Sequence, residues 1–490
     1  MPSFPSSITR LLFLVHRYLG IGIGLLMAVW CLSGIVMMYV DYPDFPESER
    51  IGGLPALDWN ACKALDGSAA PDGNTRVTSF QIEILDGRCA LRLSAADQPA
   101  RLINLETGDG LGKVSARSAA TVAVSYATHS GVPSDVPAPV MVARDQWTVS
   151  GEFNKERPLY RFDLRDSEHT QLYVSSTSGK AVQITTAAQR FWNWLGAVPH
   201  WLYPTVLRQH VAAWSQLVIW TSLIGVFLTL TGLYIGIRQY WLGRHSNPIS
   251  PYRGIMFLHH VPGLLFGVLL LTWVGSGLLS MNPWGALESA GVGEAFHDLY
   301  GEAPQWRDVQ ALLRQIRSDD LPANTVSISS AQLNGKVFAV ATSADGQRQR
   351  YGTQGSLAGL SDAEINAAAA RLGSVPAGRS WILLTREDEY HYSHGRQHAQ
   401  LPAIRITVAG DDTVSYYLDP ITGKLVDLID TNARWYRWLH YSLHRLDFQV
   451  LRSRPLWDVV MLVLLIGASL IAVTGTWIGI RRLTRSRPSP

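Results

Sequence analysis

Four long apolar runs constrain the fold of this chain more than any other feature. They cover residues 18–40, 211–237, 261–284 and 459–480 and contain no Asp, Glu, Lys or Arg. Each reaches the ~20 residues that a helix needs to cross a bilayer core of ~30 Å. A backbone in lipid must satisfy its own hydrogen bonds, as a helix does. The sequence therefore predicts four transmembrane helices. The first is expected to be an uncleaved anchor, because its apolar run exceeds the roughly 7–15 residues typical of a signal peptide.

Basic residues near the helix ends predict the orientation, because Lys and Arg concentrate on the cytoplasmic side. They are Arg10 and Arg17 at the first helix, Arg238, Arg244 and Arg253 in the link between the second and third, and Arg481, Arg482, Arg485 and Arg487 after the fourth. Both termini and the link are expected in the cytoplasm of a bacterium. The segments 41–209 and 285–455 are then expected in the periplasm, beyond the inner membrane. These signals explain the formal charge of +3, so the expected partner is the lipid bilayer and no nucleic-acid partner is expected.

Three cysteines limit the redox chemistry. Cys31 lies in the first apolar run, whereas Cys62 and Cys89 share the first outer segment. An oxidising compartment permits a disulfide between these two. The sequence does not give their separation, so the bonded and the free state both stay open. The chain has no Cys-x-x-Cys or Cys-x-x-Cys-His motif, which argues against thioredoxin chemistry and covalently attached c-type haem.

A shift of 243 residues superposes the membrane segments of the two halves of the chain. It places His16 on His259, Trp30 on Trp273, Ser33-Gly34 on Ser276-Gly277 and Gly232 on Gly475. In the outer segments the offset becomes 244 and pairs Pro158 with Pro402, Arg161 with Arg405, Trp194 with Trp438 and His200 with His444. The sequence thus predicts a unit of helix, outer domain and helix that occurs twice. The two copies are expected as parallel repeats about an axis along the membrane normal.

The outer segments have the patterns of mixed helix and strand. Residues 360–372, with Ser361 as candidate N-cap, predict a helix. Residues 403–408 and 414–418 alternate like paired strands, and residues 419–424 are typical of a turn. Similar turn residues recur at 176–180 and 104–108. We expect small α+β modules, two in each outer domain.

Several of these motifs resemble the PepSY-associated transmembrane family. They are the Asp-Pro-x-Thr-Gly-Lys ending at 419–424, His16-Arg17 in the first helix, Leu443-His444-Arg445 before the last helix, and Thr-Gly near its inner end. The resemblance covers roughly residues 11–485. Members of this family include a siderophore reductase that holds two b-type haems between four helices. The resemblance therefore implies transmembrane electron transfer to a periplasmic ferric complex of the siderophore type.

The predicted fold class is a membrane α-helical protein with four transmembrane helices in a duplicated two-helix unit and α+β PepSY-like periplasmic domains. Transmembrane helices are expected at 11–40, 210–238, 255–284 and 456–480. The PepSY-like domains, each with an interfacial segment, are expected at 41–209 and 285–455, the cytoplasmic link at 239–254 and the cytoplasmic tail at 481–490.

Histidines inside apolar spans are costly and are first considered as functional. His16 and His259 hold matched positions near the cytoplasmic ends, where two facing imidazoles can ligate one haem iron. His260 points about 100° away from His259, so at most one of the two faces His16. The repeat favours His259, and His260 remains a propionate contact or the ligand itself. The competing interpretation is that these histidines extend to the lipid headgroups.

His200 and His444 form a second matched pair near the outer ends. They follow the aromatic stretches 191–194 and 435–438, which are typical of membrane interfaces. Pro199, Pro204 and Pro455 argue against one continuous helix and predict an interfacial helix and a bend before each span. We expect this pair to ligate a second haem close to the periplasm.

Further histidines are candidates with strong competing interpretations. His440 lies one helical turn before His444 and can share its face, while His210 opens the second span. For both, a hydrogen bond to an interfacial carbonyl is the alternative. His391, His394 and His398 lie in an outer loop that could hold a metal or the ferric substrate, although their spacing matches no standard zinc signature and a polar surface loop is the alternative.

The leading interpretation is a di-haem b electron-transfer protein that acts as a ferric or siderophore reductase. The chain has no dinucleotide fingerprint and no large cytoplasmic domain for flavin, so quinol or a separate cytoplasmic donor must supply the electrons. A second interpretation is a PepSY-type membrane protein that binds periplasmic proteins or regulates a peptidase without a cofactor. A third is a transporter of a metal or metal complex, which the lack of charged residues deep in the spans disfavours.

Overall fold

The computed structural model describes residues 6–96, 98–132, 135–243, 248–289, 292–373, 378–393, 398–410 and 412–484. The chain divides into two compact units. The helical unit comprises Met1–Tyr42, Phe191–Glu288 and Asn432–Pro490, and the sheet unit comprises Pro43–Arg190 and Ser289–Thr431. Each unit therefore contains segments from both halves of the chain.

The helices are α1 (Ser6–Met37), α2 (Glu47–Gly52), α3 (Ala116–His129), α4 (Ala187–Leu195), α5 (Ala197–His200), α6 (Thr205–Arg208), α7 (Val211–Gly243), α8 (Ile255–Ser280), α9 (Val292–Tyr300), α10 (Trp306–Gln315), α11 (Asp362–Arg371), α12 (Thr431–Tyr436), α13 (Leu443–Arg445) and α14 (Leu456–Thr484). A π-helical segment, Arg437–Ser442, precedes α13. The strands are β1 (Val77–Leu85), β2 (Arg88–Ala95), β3 (Gln98–Asn104), β4 (Val140–Val142), β5 (Leu159–Asp163), β6 (Gln171–Ser175), β7 (Ala181–Thr185), β8 (Thr325–Leu333), β9 (Lys336–Ser343), β10 (Arg348–Gly352), β11 (Gly355–Leu357), β12 (Arg379–Leu384), β13 (Ala403–Val408), β14 (Val414–Leu418) and β15 (Leu425–Ile429).

Among the described residues, four helices are long and apolar enough to cross a membrane, namely α1, α7, α8 and α14. This confirms the predicted membrane protein with four spans. The helix ends differ from the predicted ones by up to five residues, and α8 ends at Ser280 rather than at residue 284. Beyond it Asn282 and Trp284 have positive φ values of 43° and 56°, a conformation that cannot continue a right-handed helix.

The four long helices pack around a shared apolar core. α1 contacts α7 and α14, and α8 contacts the same two helices. Met27 of α1, Leu270 of α8 and Ala468 of α14 are buried in this core. At Gly467 an added Cβ would lie 2.5 Å from the Phe266 ring. Close packing of neighbouring helices therefore explains part of the glycine content of these spans.

The expected bends before the second and fourth spans are present. α5, α6 and α7 are separate helices, as are α13 and α14. After His200 and His444 the chain passes through Leu202 (φ 50°) and Leu446 (φ 52°), which have left-handed backbone conformations. A left-handed residue ends a helix, so both short helices stop at matched positions just after their histidine.

The sheet unit contains a seven-stranded sheet in the order β11-β10-β9-β8-β1-β2-β3. Its two halves join where β1 pairs antiparallel with β8, with Gln81 opposite Ser329 and Ile82 opposite Ile328. We expected separate modules in each outer domain, whereas this sheet is shared between them. The pairing covers two strand edges that would otherwise be open to association with other chains.

Two four-stranded sheets, β4-β5-β6-β7 and β12-β13-β14-β15, complete the β structure of the described residues. β13 and β14 match the predicted strands residue for residue, and Ser361 caps α11 through a capping box with Glu364. In the predicted turn after β14, Asp419 accepts hydrogen bonds from the amides of Ile421 and Thr422 (2.7 and 2.9 Å). The local patterns of the sheet unit were thus sufficient to predict these elements.

The open question about the cysteines is answered by a disulfide between Cys62 and Cys89. Both belong to the core beneath the seven-stranded sheet, where neither is exposed. Cys31 is free and buried in α1. The bond ties the segment before β1 to β2.

A buried ion cluster lies on the seven-stranded sheet. Glu83, which is 1% exposed, pairs with Arg50 at 2.6 Å and with Arg92 at 2.7 Å. Burial alone would raise the pKa of Glu83, but the charges of Arg92 and Arg50 more than offset it and hold the pKa at about 2. The carboxylate is therefore ionised in the folded protein under ordinary conditions.

This cluster predicts a pH-dependent stability. The folded pKa of Glu83 lies below its unfolded value of about 4.3, so its contribution is present above pH ~4.3 and is lost as the pH falls toward 2. Glu83→Gln leaves the buried Arg92 without its carboxylate and leaves Arg50 paired with Glu47 alone, and it is expected to cost about 3 kcal/mol at pH 7. Denaturant unfolding of the detergent-solubilised chain at several pH values measures both effects.

The matched control is Glu302→Gln, because Glu302 pairs with Arg76 at the surface and is 75% exposed. An exposed pair contributes little to stability, so this variant should unfold like the wild type. Equal losses in the two variants, or a Glu83→Gln protein with unchanged acid sensitivity, would contradict the assignment.

The disulfide predicts the outcome of thiol labelling. In denaturant without reductant one cysteine, Cys31, should react, and after reduction three should react. The bond closes a loop with a sequence separation of 27 residues, so the paired Cys62→Ser and Cys89→Ser variant should lose about 3 kcal/mol of stability. Three reactive thiols before reduction would refute the bond.

Candidate functional site

Four histidines of the helical unit form two facing pairs. The rings of His16 in α1 and His259 in α8 have centroids 6.3 Å apart. The rings of His200 in α5 and His444 in α13 have centroids 6.1 Å apart. The two pairs predicted from the matched positions in the sequence are thus brought together in space.

These separations suit one metal ion between two imidazoles. Two metal–imidazole bonds of about 2 Å place the ligating nitrogens about 4 Å apart. Each ring centre lies about 1 Å beyond its nitrogen, so the two ring centres are expected about 6 Å apart. The separation in each pair is therefore compatible with a metal such as a haem iron between the two rings.

Backbone carbonyls of neighbouring helices fix the rings of the first pair. His16 Nδ1 donates to the carbonyl of Leu228 at 3.1 Å, and His259 Nδ1 donates to the carbonyl of Ile471 at 3.1 Å. A carbonyl can only accept, so the proton is on Nδ1 and the Nε2 lone pair is available for a metal. Ligating histidines typically have such a partner on the second nitrogen.

The second pair has the same arrangement. His200 Nδ1 lies 3.1 Å from the carbonyl of Trp30 and 3.1 Å from Ser33 Oγ. His444 Nδ1 lies 3.1 Å from the carbonyl of Trp273, and Ser276 Oγ is also 3.1 Å away. Trp30 with Ser33 and Trp273 with Ser276 are matched at an offset of 243, so both halves orient their histidine in one way.

A glycine lies against each ring. An added Cβ would lie 2.6 Å from His16 Cε1 at Gly232 and 2.9 Å from His259 Cε1 at Gly475. At Gly34 and Gly277 the added Cβ would lie 3.6 and 3.3 Å from the outer pair of histidines. Any larger residue at Gly232 or Gly475 would push the ring away, so these glycines allow the imidazoles to reach the carbonyls.

A cavity of about 410 Å³ adjoins His16 and His259. This lies within the range of small-molecule and cofactor pockets. Gly20 and Gly263 line it at matched positions. A Cβ at Gly263 would meet no protein atom within 4 Å, and one at Gly20 would meet Leu228 at 3.9 Å. The glycines thus leave space for a ligand beside the two imidazoles.

The same cavity is lined by three guanidinium groups, from Arg10, Arg17 and Arg482. These residues belong to the basic sets from which the cytoplasmic side was predicted. An anionic substituent of a ligand in this cavity would find positive charge here. Guanidinium groups bind carboxylates well because of their planar set of donors.

His260 is engaged on both ring nitrogens. Its Nε2 lies 3.0 Å from the carbonyl of Gly236, and its Nδ1 lies 3.0 Å from Ser250 Oγ. Nε2 therefore donates to the carbonyl and Nδ1 accepts from the serine. His259, by contrast, has a partner on Nδ1 and is paired with His16, so His259 and not His260 is the histidine of α8 that lies opposite His16.

His440 and His210 occupy different surroundings from the facing pairs. His440 lies in the π-helical segment, donates from Nδ1 to the carbonyl of Ser276 at 3.3 Å, and stacks on His444 at 5.3 Å. It therefore supports the His444 ring from the side. His210 is exposed where α7 begins.

The outer loop holds His391 within the fold. His391 is buried, donates from Nε2 to the carbonyl of Gln400 at 3.0 Å, and stacks on Tyr417. Its Nδ1 lies 3.8 Å from the Asp427 carboxylate, which raises the pKa of His391. His398 is exposed, and His394 lies outside the described residues. Within the part of the chain that the structure describes, no group of three His, Cys, Asp or Glu residues is placed to hold a metal ion.

Sequence reasoning missed the groups that orient the histidines. Ser33 and Ser276 were noted as matched positions without a role, and the nearby glycines were attributed mainly to helix packing. The available signal was that serine, glycine and histidine are matched together at nearly one offset. A matched polar residue inside an apolar span predicts a polar partner.

Comparison with known proteins adds the family. A family model described as the PepSY-associated TM region matches residues 13–482. No individual curated protein matches the chain. The matched region includes α7, α8, most of α1 and α14, the sheet unit and all four paired histidines. The chain therefore belongs to the PepSY-associated TM region family.

Proposed function

We propose that this protein is a di-haem b electron-transfer protein of the bacterial inner membrane that reduces a ferric complex of the siderophore type in the periplasm. The observation that carries the proposal is the two facing pairs of imidazoles, whose ring centres lie 6.3 and 6.1 Å apart. His16 and His259 would hold the inner haem, and His200 and His444 the outer haem.

The residues present support this proposal, with two imidazoles at each pair and a cavity at the inner pair. Each pair provides two nitrogen ligands, which is the donor set of a six-coordinate haem iron. Gly20 and Gly263 leave space beside the inner pair, and the lining arginines can bind propionates. When bound, haem iron supplies reversible one-electron transfer.

The protein's own groups hold and tune these ligands. The carbonyls of Leu228 and Ile471 keep the Nδ1 protons of the inner pair in place, which leaves each Nε2 lone pair available to a metal. A hydrogen bond from Nδ1 also makes Nε2 a stronger electron-pair donor to a metal. The four rings are partly buried among apolar helices, which would restrict the access of water to the metal ligands.

The distance between the two pairs along α1 supports haem sites near opposite surfaces of a bilayer. His16 belongs to the inner pair, and Ser33, which contacts His200, lies 17 residues further along the helix. This corresponds to a rise of about 25 Å, close to the ~30 Å of a bilayer core. Electrons entering at the basic end of the helices would therefore leave near the opposite surface.

This function implies the topology expected from the basic residues. The termini and the link between α7 and α8 would be cytoplasmic, and the sheet unit would be periplasmic. The two halves would be parallel copies of one duplicated unit, each contributing one ligand to each haem. Quinol or a separate cytoplasmic protein would donate the electrons.

Visible spectroscopy of the purified chain tests the proposal. We expect a Soret band and a sharp α-band after dithionite, at about two haems per chain. His16→Ala and His444→Ala should each lose one haem, because each would remove one of the two imidazoles proposed to hold it. His210→Ala is the control and should keep both haems, since His210 is exposed outside the pairs. Full haem content in both ligand variants would refute the assignment.

The space beside the inner pair gives a second test. Gly263→Leu places a side chain into the cavity next to His259 and is expected to remove the inner haem while the outer haem stays bound. Gly22→Leu is the matched control, because a Cβ at Gly22 also meets no atom within 4 Å but this residue does not line the cavity. Spectra of Gly263→Leu that equal those of Gly22→Leu would show that this space is not a haem site.

A further inference from the structure

Lysine is rare in this chain and concentrated in one place. The six lysines are Lys63, Lys113, Lys155, Lys180, Lys336 and Lys424. Four of them, Lys113, Lys155, Lys180 and Lys424, line a single cavity of the sheet unit. The other Lys and Arg residues of the protein are all arginines. The cavity is therefore enriched in lysine in particular.

The cavity has a volume of about 1120 Å³ and is built at the junction of the two halves. Gln81 of β1 and Ser329 of β8, which are paired across the junction, both line it. Lys180 follows the turn between β6 and β7, and Lys424 follows the turn between β14 and β15. These are the turns whose residues were recognised in the sequence.

Glycine sets the approach of both turns to the seven-stranded sheet. Gly179 has φ 70°, and an added Cβ would lie 2.8 Å from Leu85. Gly423 has φ 72°, and an added Cβ would lie 3.0 Å from Leu333. Leu85 ends β1 and Leu333 ends β8. Each Gly-Lys pair thus places its lysine at the cavity because its glycine packs closely on the sheet.

The positive charge of the cavity is not neutralised by its own carboxylates. No carboxylate of the described residues lies within 4 Å of the four lysine ammonium groups, and Arg101, which also lines the cavity, bonds Ala69 and Gln98. Of the two lining carboxylates, Glu47 pairs with Arg50 and Glu156 accepts from Ser178. The arginine of the buried cluster that lines the cavity, Arg92, is paired with Glu83.

The half-buried Lys180 lies among these charges. Burial lowers the pKa of Lys180, Glu83 and Glu47 oppose this effect, and the positive charges of Arg92 and Arg50 add to it. An anion in the cavity would reverse the effect by compensating the ammonium charge. Lysine suits such a ligand because its charge sits on a flexible stem and can follow oxygens spread over a bulky molecule.

We propose that this cavity binds a polyanionic metal chelate whose charge is carried by carboxylate or catecholate oxygens. The choice of an iron chelate rests on the proposed function, whereas the requirement for a polyanion rests on the charges of the cavity. The volume exceeds the upper end of ordinary small-molecule sites, as a bulky chelate requires. The substrate class would then be anionic ferric chelates rather than uncharged hydroxamate chelates.

Gallium(III) tests binding without reduction, because it replaces ferric iron in such chelates and does not accept electrons. Isothermal titration of the full chain in detergent would compare the trianionic gallium tris-catecholate complex with an uncharged gallium trihydroxamate. We expect the trianion to bind more tightly by at least about tenfold, and this preference should weaken as salt screens the charges. Equal affinities for the two chelates would overturn the proposal.

The lysines themselves are tested by the double variant Lys155→Gln and Lys424→Gln. Both side chains are exposed in the sheet unit, so the fold should be retained, and the affinity for the trianion should fall by about tenfold or more. Lys336→Gln, which changes an exposed lysine outside the cavity, should bind like the wild type. Unchanged affinity in the double variant would overturn the site.

The outcome is separable from that of the proposed function, because the haem spectrum is recorded on the same samples. Lysine-dependent binding to a protein without haem would support the cavity and refute the electron-transfer proposal. A protein with two haems that does not distinguish the trianion from the uncharged chelate would refute the cavity alone.

Discussion

The arrangement of the helical unit depends on one interaction, the hydrogen bond from a histidine Nδ1 to the backbone carbonyl of another segment. An imidazole inside an apolar bundle must find a partner, because an unpaired polar group there is costly. A helical carbonyl has a second lone pair beyond the one used by its own helix. His16 donates to the carbonyl of Leu228 and His259 donates to the carbonyl of Ile471. Because each carbonyl has a second lone pair, the helices stay intact while the rings are held.

That bond determines several residue types around each histidine. The ring must approach a helix backbone closely, which requires Gly232 and Gly475 at the inner pair. The outer rings are held in addition by Ser33 and Ser276. Histidine, glycine and hydroxyl residues therefore form one physical unit, and a change at any of them displaces a nitrogen from its partner ring. Facing pairs at about 6 Å follow from this orientation.

Much of this arrangement could be predicted from local patterns and from the internal match. The spans follow from apolar length, β13 and β14 from alternation, and α11 from the capping residue Ser361. The match between the halves predicted which histidines pair. Contacts between distant residues could not be predicted, because no local signal encodes them. The choice of His259 over His260 depends on the carbonyl of Gly236 and on Ser250, and the pairing of β1 with β8 joins strands from different halves.

The two halves keep equal contacts at the histidines and differ in the charges of the sheet unit. β1 and β8 begin at residues 77 and 325 and have the same length. When the two strands are compared position by position, Ala331 of β8 corresponds to Glu83 of β1. The buried ion cluster therefore belongs to the first half, as do three of the four cavity lysines. The paired histidines are thus matched between the halves, whereas the charges that line the cavity are not. Because the seven-stranded sheet spans both halves of the chain, the cavity needs both halves even though most of its lysines come from one.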